Sequence, residues 1–274
     1  MVDMVGPRYA SGKRMPQNVV EGLKVTGKAG FISKRLWRKF FGSGNFHASR
    51  KQIQRLKLKG HLISHPNPIA HGFLVLSDVG KEFYTAYFGD LSSVPPAGQL
   101  IHDEFVLWSV LSMWRDSLIT QFQLECEFRD GSQDTHDFLS KSLNHKIPDA
   151  IFQFRIGNAL RKVAFEYERQ RKSPERYRDI LWLYAGQEDF SLVIFVCETD
   201  AILDSIERQL KRIGDQDLLN RVALVRSKEW SKGPLRAPLH VANKVYLLDE
   251  LCQKFPSESD HICVAANVAA CDTW

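Results

Sequence analysis

Residues 161–168 alternate in a way that an extended strand can use. Val163, Phe165 and Tyr167 would point to one face of such a strand, and Ala164, Glu166 and Glu168 to the other. One face is then suited to burial, while the other carries two carboxylates side by side. A second strand is expected over 146–154, where Asp149 follows Pro148 and shares its face with Ile151 and Gln153. If the two strands pair through the short turn at Gly157 and Asn158, three carboxylates converge on one point. Unscreened, such a cluster repels itself, so it calls for a cation, a proton or basic neighbours. A hard divalent cation with oxygen ligands fits that demand best.

The surrounding pattern is of α/β (α+β) class. A helix is expected over 101–114, a strand over 119–128, a charged flexible loop over 129–144, and a helix over 174–184. An apolar strand at 191–197, a long helix at 200–211 and a strand near 221–225 follow. Upstream, residues 91–98 are free of charge and stiffened by Pro95 and Pro96, as in a stretch that joins domains. The expected organisation is therefore a domain over 1–95 and a second over 96–274, for which 274 residues suffice.

Charge divides the chain at nearly the same place. Residues 1–70 hold 14 Lys or Arg against Asp3 and Glu21 alone, a net of +12, whereas the other 204 residues carry 23 basic and 30 acidic side chains, a net of −7. The overall +5 conceals this asymmetry, which marks a nucleic-acid or membrane contact made by one end. The basic residues are interleaved with helical periodicity. Ile32, Leu36 and Phe40 are spaced for one helix face, with Lys34, Arg35, Arg38 and Lys39 between them and Ser33 as N-cap. Gly42 and Gly44 break that helix. A second, capped near Ser49, runs over 50–59 with Ile53 and Leu56 inward and Leu58 a further candidate for that face, and Gly60 stops it. Residues 61–64 and 72–76 flank a Pro66-Asn67-Pro68 turn and read as a hairpin, with a further helix from Ser77. This order resembles a winged helix-turn-helix domain. The resemblance implies that the second helix enters the major groove, with Arg50, Lys51, Gln54, Arg55, Lys57 and Lys59 facing DNA and Lys34 and Arg35 adding to the basic surface. Arg and Gln can read base edges, while Lys suits phosphate.

Two other patterns are dismissed. Gly22, Gly27 and Lys28 have the spacing of a phosphate-binding loop, but Ala29 stands where Ser or Thr would hold magnesium. His261, Cys263, Cys271 and Cys252 lack the paired spacing of zinc knuckles, and the five cysteines, odd in number, read as reduced thiols. The N-terminus has no apolar signal region and no apolar run nears membrane-span length, so a cytoplasmic location without membrane contact is expected.

Pro148-Asp149 followed by Glu166-Tyr167-Glu168 on the next strand, and then a basic helix, is similar to the PD-(D/E)XK nuclease core in the form where Glu replaces the last Lys. With the upstream winged helix and the start of the helix at Leu100-Ile101-His102, residues 18–230 resemble the replication-relaxation family and the MobC-type relaxases of mobilizable plasmids. That resemblance implies a site-specific endonuclease that nicks a plasmid origin of transfer using Mg²⁺ or Mn²⁺. It implies Asp149 and Glu166 as metal ligands, and Glu168 in the place normally held by Lys, orienting or deprotonating the attacking water. Glu104, or its neighbour Asp103, would add a carboxylate from the preceding helix, and Lys172 and Arg169 would neutralise the scissile phosphate. His102 and Tyr177 read as structural, and Tyr9 is the residue to test for a covalent link. The implied partners are double-stranded and nicked origin DNA, a relaxosome accessory protein and a coupling ATPase. No His-x-His occurs, which sets aside the relaxase mechanism built on a histidine metal triad. Two other classes fit the same residues: a non-catalytic DNA-binding replication or regulatory protein, and a restriction or repair nuclease that cuts both strands.

Overall fold

In the computed structural model the described residues are 7, 14–129, 146–156 and 159–248. The loop expected over 129–144 lies almost wholly outside them, as do the turn at Gly157 and Asn158, Tyr9 and the cluster around Cys252, His261, Cys263 and Cys271. The chain forms two compact units, Met1–Leu111 with Gln123–Lys141, and Ser112–Phe122 with Ser142–Trp274.

The first unit begins with helix α1 (Gln17–Ala29), which opens after Pro16 and closes at Gly30 with φ 75°. Strand β1 (Ile32–Ser33) leads into α2 (Lys34–Leu36), where Ser33 Oγ accepts from Leu36 N at 3.0 Å as the sequence predicts. The helix continues as a π-helical turn over Trp37–Phe41. Helix α3 (Phe46–Leu58) starts three residues before the expected Ser49, because Asn45 supplies the cap by accepting from His47 N and Ala48 N. Ser49 instead bonds back to the Asn45 carbonyl within the helix. Strands β2 (Leu62–Ser64) and β3 (Phe73–Leu76) form the hairpin, and β1 completes an antiparallel sheet in the order β1-β3-β2. Ser77 then caps helix α4 (Asp78–Phe88). Leu23, Ile32, Leu36, Trp37, Leu62 and Leu74 are fully buried and form the heart of this unit.

Gly22 and Gly27 belong to α1, and their spacing is set by packing. A Cβ on Gly22 would lie 2.6 Å from the Trp37 ring, and one on Gly27 would lie 2.2 Å from the ring of buried Tyr84. Two aromatic rings lie against the helix where it lacks side chains, which is what the glycines serve.

Helix α5 (Leu100–Arg115) precedes strand β4 (Ile119–Leu124). The strand expected to run on to residue 128 ends at Leu124, since helix α6 (Glu125–Arg129) begins there and Glu127 Oε2 accepts from Leu124 N at 2.7 Å. Glu127 also pairs with Lys28 at 3.2 Å.

The second unit is built on a seven-stranded mixed sheet in the order β10-β9-β8-β7-β6-β5-β4. Strands β5 (Ala150–Ile156) and β6 (Ala159–Glu168) are antiparallel, with Ala150 opposite Phe165. Strands β7 (Leu192–Cys197) and β8 (Val222–Arg226) continue the sheet parallel to β6. Parallel neighbours need crossovers, supplied by α7 (Pro174–Ala185) and by α8 (Asp200–Ile213) with α9 (Gln216–Arg221). The short helix α10 (Ser227–Trp230) and the antiparallel strands β9 (Pro238–Val241) and β10 (Lys244–Leu247) extend the far edge. Their weak patterning gave no signal in the sequence. Strand β7 is buried along its whole length, as a central parallel strand must be. No helix among the described residues is long and apolar enough to cross a membrane.

Candidate functional site

Alternation along β6 works as the sequence implies. Phe165 faces one side, where its ring lies 5.6 Å from that of Trp230 on α10, while Glu166 faces the side covered by α7. Asp149 stands immediately before β5, on the strand paired with this part of β6. Its Oδ2 accepts from the Tyr167 backbone N–H at 2.7 Å. The sheet thus brings Asp149, Glu166 and Glu168 together at one end of the β5–β6 pair.

Each carboxylate already has protein donors. Glu166 is 3% exposed, and its Oε1 lies 2.6 Å from Lys146 Nζ and accepts from the Tyr184 hydroxyl of α7. Glu168, equally buried, accepts from Lys172 Nζ with both oxygens. Lys172 reaches it from the turn after β6, where its backbone N–H also donates to the Tyr177 hydroxyl at 3.2 Å. On the other face of β6, the Tyr167 hydroxyl donates to Glu198 at 2.7 Å.

Burial dominates the electrostatics. It pushes the Glu166 carboxyl up to about 7, with the charge of Asp149 adding to the shift and Lys146 and Tyr184 opposing it. Near neutral pH this carboxyl is divided between its acid and ionised forms. Burial and the neighbouring carboxylates raise the Tyr184 hydroxyl well above the usual tyrosine value, so it remains a proton donor to Glu166. The Tyr177 hydroxyl is pushed up to about 12, chiefly by burial, in keeping with a structural role. Cys197, which pairs with Glu168 in the parallel register, has its thiol raised by burial and by that carboxylate.

The end of α7 that carries Tyr184 is held firmly. Arg221 donates to the carbonyls of Tyr184 at 2.6 Å, Ala185 at 2.9 Å, Gln187 at 2.8 Å and Phe190 at 3.2 Å. One guanidinium satisfies several groups that the helix C-terminus leaves open, and its charge suits the negative end of the helix dipole.

The donor set of three carboxylates suits a hard cation such as Mg²⁺ or Mn²⁺ in chemical type. Among the described residues, however, no three His, Cys, Asp or Glu side chains form a ready-made metal cage. Ammonium groups and hydrogen-bond donors stand at the carboxylates instead. Asp149 and Glu166 are the residues that would hold an ion, with Glu168 next along the strand.

Glu104 lies on α5 in the first unit, where its Oε1 accepts from Arg35 Nε at 3.3 Å. Next to it, His102 Nδ1 is 2.9 Å from Asp103 Oδ1. Arg169 is exposed after the end of β6.

The basic residues of the first unit divide into two kinds. On α3, Arg50, Lys51, Gln54 and Arg55 are exposed opposite the buried Ser49, Ile53 and Leu56, and Leu58, in the last turn, is exposed rather than inward. Lys59 is exposed just beyond the helix. Partners of three more are visible: Lys57 donates to Ser64, Lys34 donates to the His71 carbonyl at 2.8 Å, and Arg35 pairs with Glu104. Burial, and secondarily the charge of Lys34, lower the Lys57 ammonium below its ordinary value. Three positions were not singled out in the sequence: Lys146, Tyr184 and Glu198. Lys146 lies three residues before Asp149 in the predicted strand, a position that could have marked it, whereas the tyrosine is brought to Glu166 only by the crossover.

The chain matches no protein-family model, no curated protein and no solved structure.

Proposed function

We propose that the chain is a site-specific, metal-dependent DNA endonuclease that nicks one strand at a plasmid origin of transfer. The observation that carries this reading is the placement of Asp149, Glu166 and Glu168 at one end of the paired strands β5 and β6, with Glu166 buried and Lys172 on Glu168. Topology supports it. A helix, three strands in spatial sequence, a crossover helix and a parallel strand follow the order expected of a PD-(D/E)XK core. In the first unit, α1, β1, α2, α3 and the β2–β3 hairpin follow the order of a winged helix, and α3 presents an exposed face free of acidic side chains. On this reading Arg50, Lys51, Gln54 and Arg55 meet the duplex, with Lys34, Arg35, Lys57 and Lys59 around them.

Asp149 and Glu166 would hold Mg²⁺ or Mn²⁺ in this proposal, and an ion there would supply charge neutralisation at the scissile phosphate and a lowered pKa for an attacking water. Glu168, held in place by Lys172, would stand as the group that orients the water and accepts its proton. Tyr184 fixes the Glu166 carboxyl by donating to it. An accessory protein and a coupling ATPase are the expected partners in a cytoplasmic complex.

A second reading is favoured by the ammonium groups already seated on Glu166 and Glu168. A self-compensated cluster of this kind suits a DNA-binding replication or regulatory protein in which the nuclease-like fold no longer cuts. Supercoiled origin-bearing plasmid incubated with the protein and Mn²⁺ distinguishes them. Open circles lost with Asp149→Ala support nicking, linear product indicates a double-strand endonuclease, and unchanged supercoils with retained binding support the non-catalytic reading.

A further inference from the structure

Lys146 is the feature of the second unit that the nuclease reading leaves without a role. Its ammonium lies 2.6 Å from Glu166 Oε1, and its side chain is only 20% exposed. The Gln187 side chain donates to its backbone carbonyl at 3.2 Å, and Gln187 is in turn held through its own carbonyl by Arg221. The backbone that presents the ammonium to Glu166 is therefore tied to the end of α7. Glu166 needs such a partner, because a carboxylate 3% exposed beside Asp149 is costly to ionise without a positive charge.

Glu166 Oε1, which accepts from both Lys146 and Tyr184, has little room left for an inner-sphere cation, and an ion on the other oxygen would lie close to the ammonium. Two positive charges on the same oxygen would also repel each other. Lys172 holds Glu168 in a comparable way, but its side chain is 39% exposed and so is solvated more easily when it lets go. Lys146 is the more deeply held of the two.

We propose that Lys146 is the resident counter-cation of this site and competes with the divalent ion for Glu166, so that metal loading requires the Lys146–Glu166 ion pair to open. The inference rests on the metal-dependent reading of the same carboxylates. Lys146 is on this view a positioning residue that holds the buried carboxylate in place through the ion pair, and it sets how tightly metal is held. A conventional site of bare carboxylates binds an ion without first breaking such a contact.

The test is direct Mn²⁺ binding to the full-length protein by titration calorimetry at mildly alkaline pH, without DNA and without any cleavage readout. Lys146→Met removes the competing charge while keeping the stem, and it should bind Mn²⁺ about ten-fold or more tightly than the unaltered protein. Lys146→Arg keeps a positive charge and should return affinity toward the starting value. The unaltered protein gives a second measurement that needs no variant to fold: acetylation of Lys146, followed by peptide mass spectrometry, should accelerate when Mn²⁺ is added. Equal affinity in the unaltered and Met forms, or a labelling rate indifferent to bound Mn²⁺, overturns the competition and leaves the metal site standing. Mn²⁺ binding by Lys146→Met alone supports the competition in its strongest form. Absence of Mn²⁺ binding in all three proteins overturns the metal-dependent reading itself, and the competition with it.

Discussion

Replacing Glu166 with Gln should flatten the pH dependence of stability in a defined window. Burial raises the folded-state pKa of this carboxyl from 4.5 to about 7, so the folded protein keeps a proton that the unfolded chain has released. The sign follows from that excess. The favourable contribution is fully present below about pH 4.5 and is lost as pH rises through about 7. A shift of roughly two and a half pH units, at about 1.4 kcal/mol each, amounts to about 3 kcal/mol. Between those limits the unaltered protein should lose stability, relative to the Gln form, at nearly the full single-proton slope. The Gln form cannot ionise, and it retains the hydroxyl of Tyr184 as a hydrogen-bond donor. The assay is urea unfolding of both proteins in metal-free buffer at several pH values from about 5 to 8, followed by far-ultraviolet circular dichroism. Other titrating groups are common to both proteins, so the difference between the two curves isolates Glu166. Two curves that run parallel across the window would refute the argument, because they would mean that Lys146 holds Glu166 fully ionised in the folded state throughout.

Three further outcomes are expected. Changing Arg50 and Arg55 of α3 to Ala should weaken origin-DNA binding and lower the slope of log affinity against log salt by up to about two, measured by fluorescence anisotropy over a salt series; an unchanged slope removes this helix from the interface. Gly27→Ala should destabilise the first unit: forcing a methyl to within 2.2 Å of the Tyr84 ring costs about 1–3 kcal/mol, against about 1 kcal/mol gained in helix propensity, and thermal unfolding gives the net sign. Arg221→Ala should cost about 2–4 kcal/mol in urea unfolding, since it strips the donor from four carbonyls around the end of α7; a loss within the error of the measurement would show that water replaces the guanidinium without penalty.

Local patterning carried much of this protein in plain view. The two-residue period of 161–168 determined which side chains of β6 share a face, because consecutive side chains of an extended chain must alternate, and Glu166 and Glu168 duly emerge together. Ser33, Ser77 and Ser173 cap helices where the sequence places helix starts, since a cap needs only its own next three residues. The alternation of strands and helices from 146 to 226 was equally legible, and so was the division of charge between the ends. The misreadings have a common cause. The helical character of residues 17–29 is obscured by Gly22 and Gly27, whose purpose is visible only when Trp37 and Tyr84 lie against them. The early start of α3 and the early end of β4 were decided by single side chains, Asn45 and Glu127, in competition with equally plausible neighbours.

The candidate site shows the same division. Its acids belong to a strand pattern and were found from it, but their partners are set by contacts between elements distant in sequence. Tyr184 reaches Glu166 because a crossover helix lies over the sheet, and Arg221 holds the end of that helix from the last residue of α9, in the next crossover. Lys146 neutralises Glu166 because pairing of β5 with β6 brings the chain before Pro148 alongside the end of the next strand. Sequence by itself determined that carboxylates would gather on one face of these strands, a matter of backbone period. Only the tertiary structure decided that Glu166 and Glu168 are buried and which protein cations answer them, because burial and charge compensation are properties of the assembled neighbourhood.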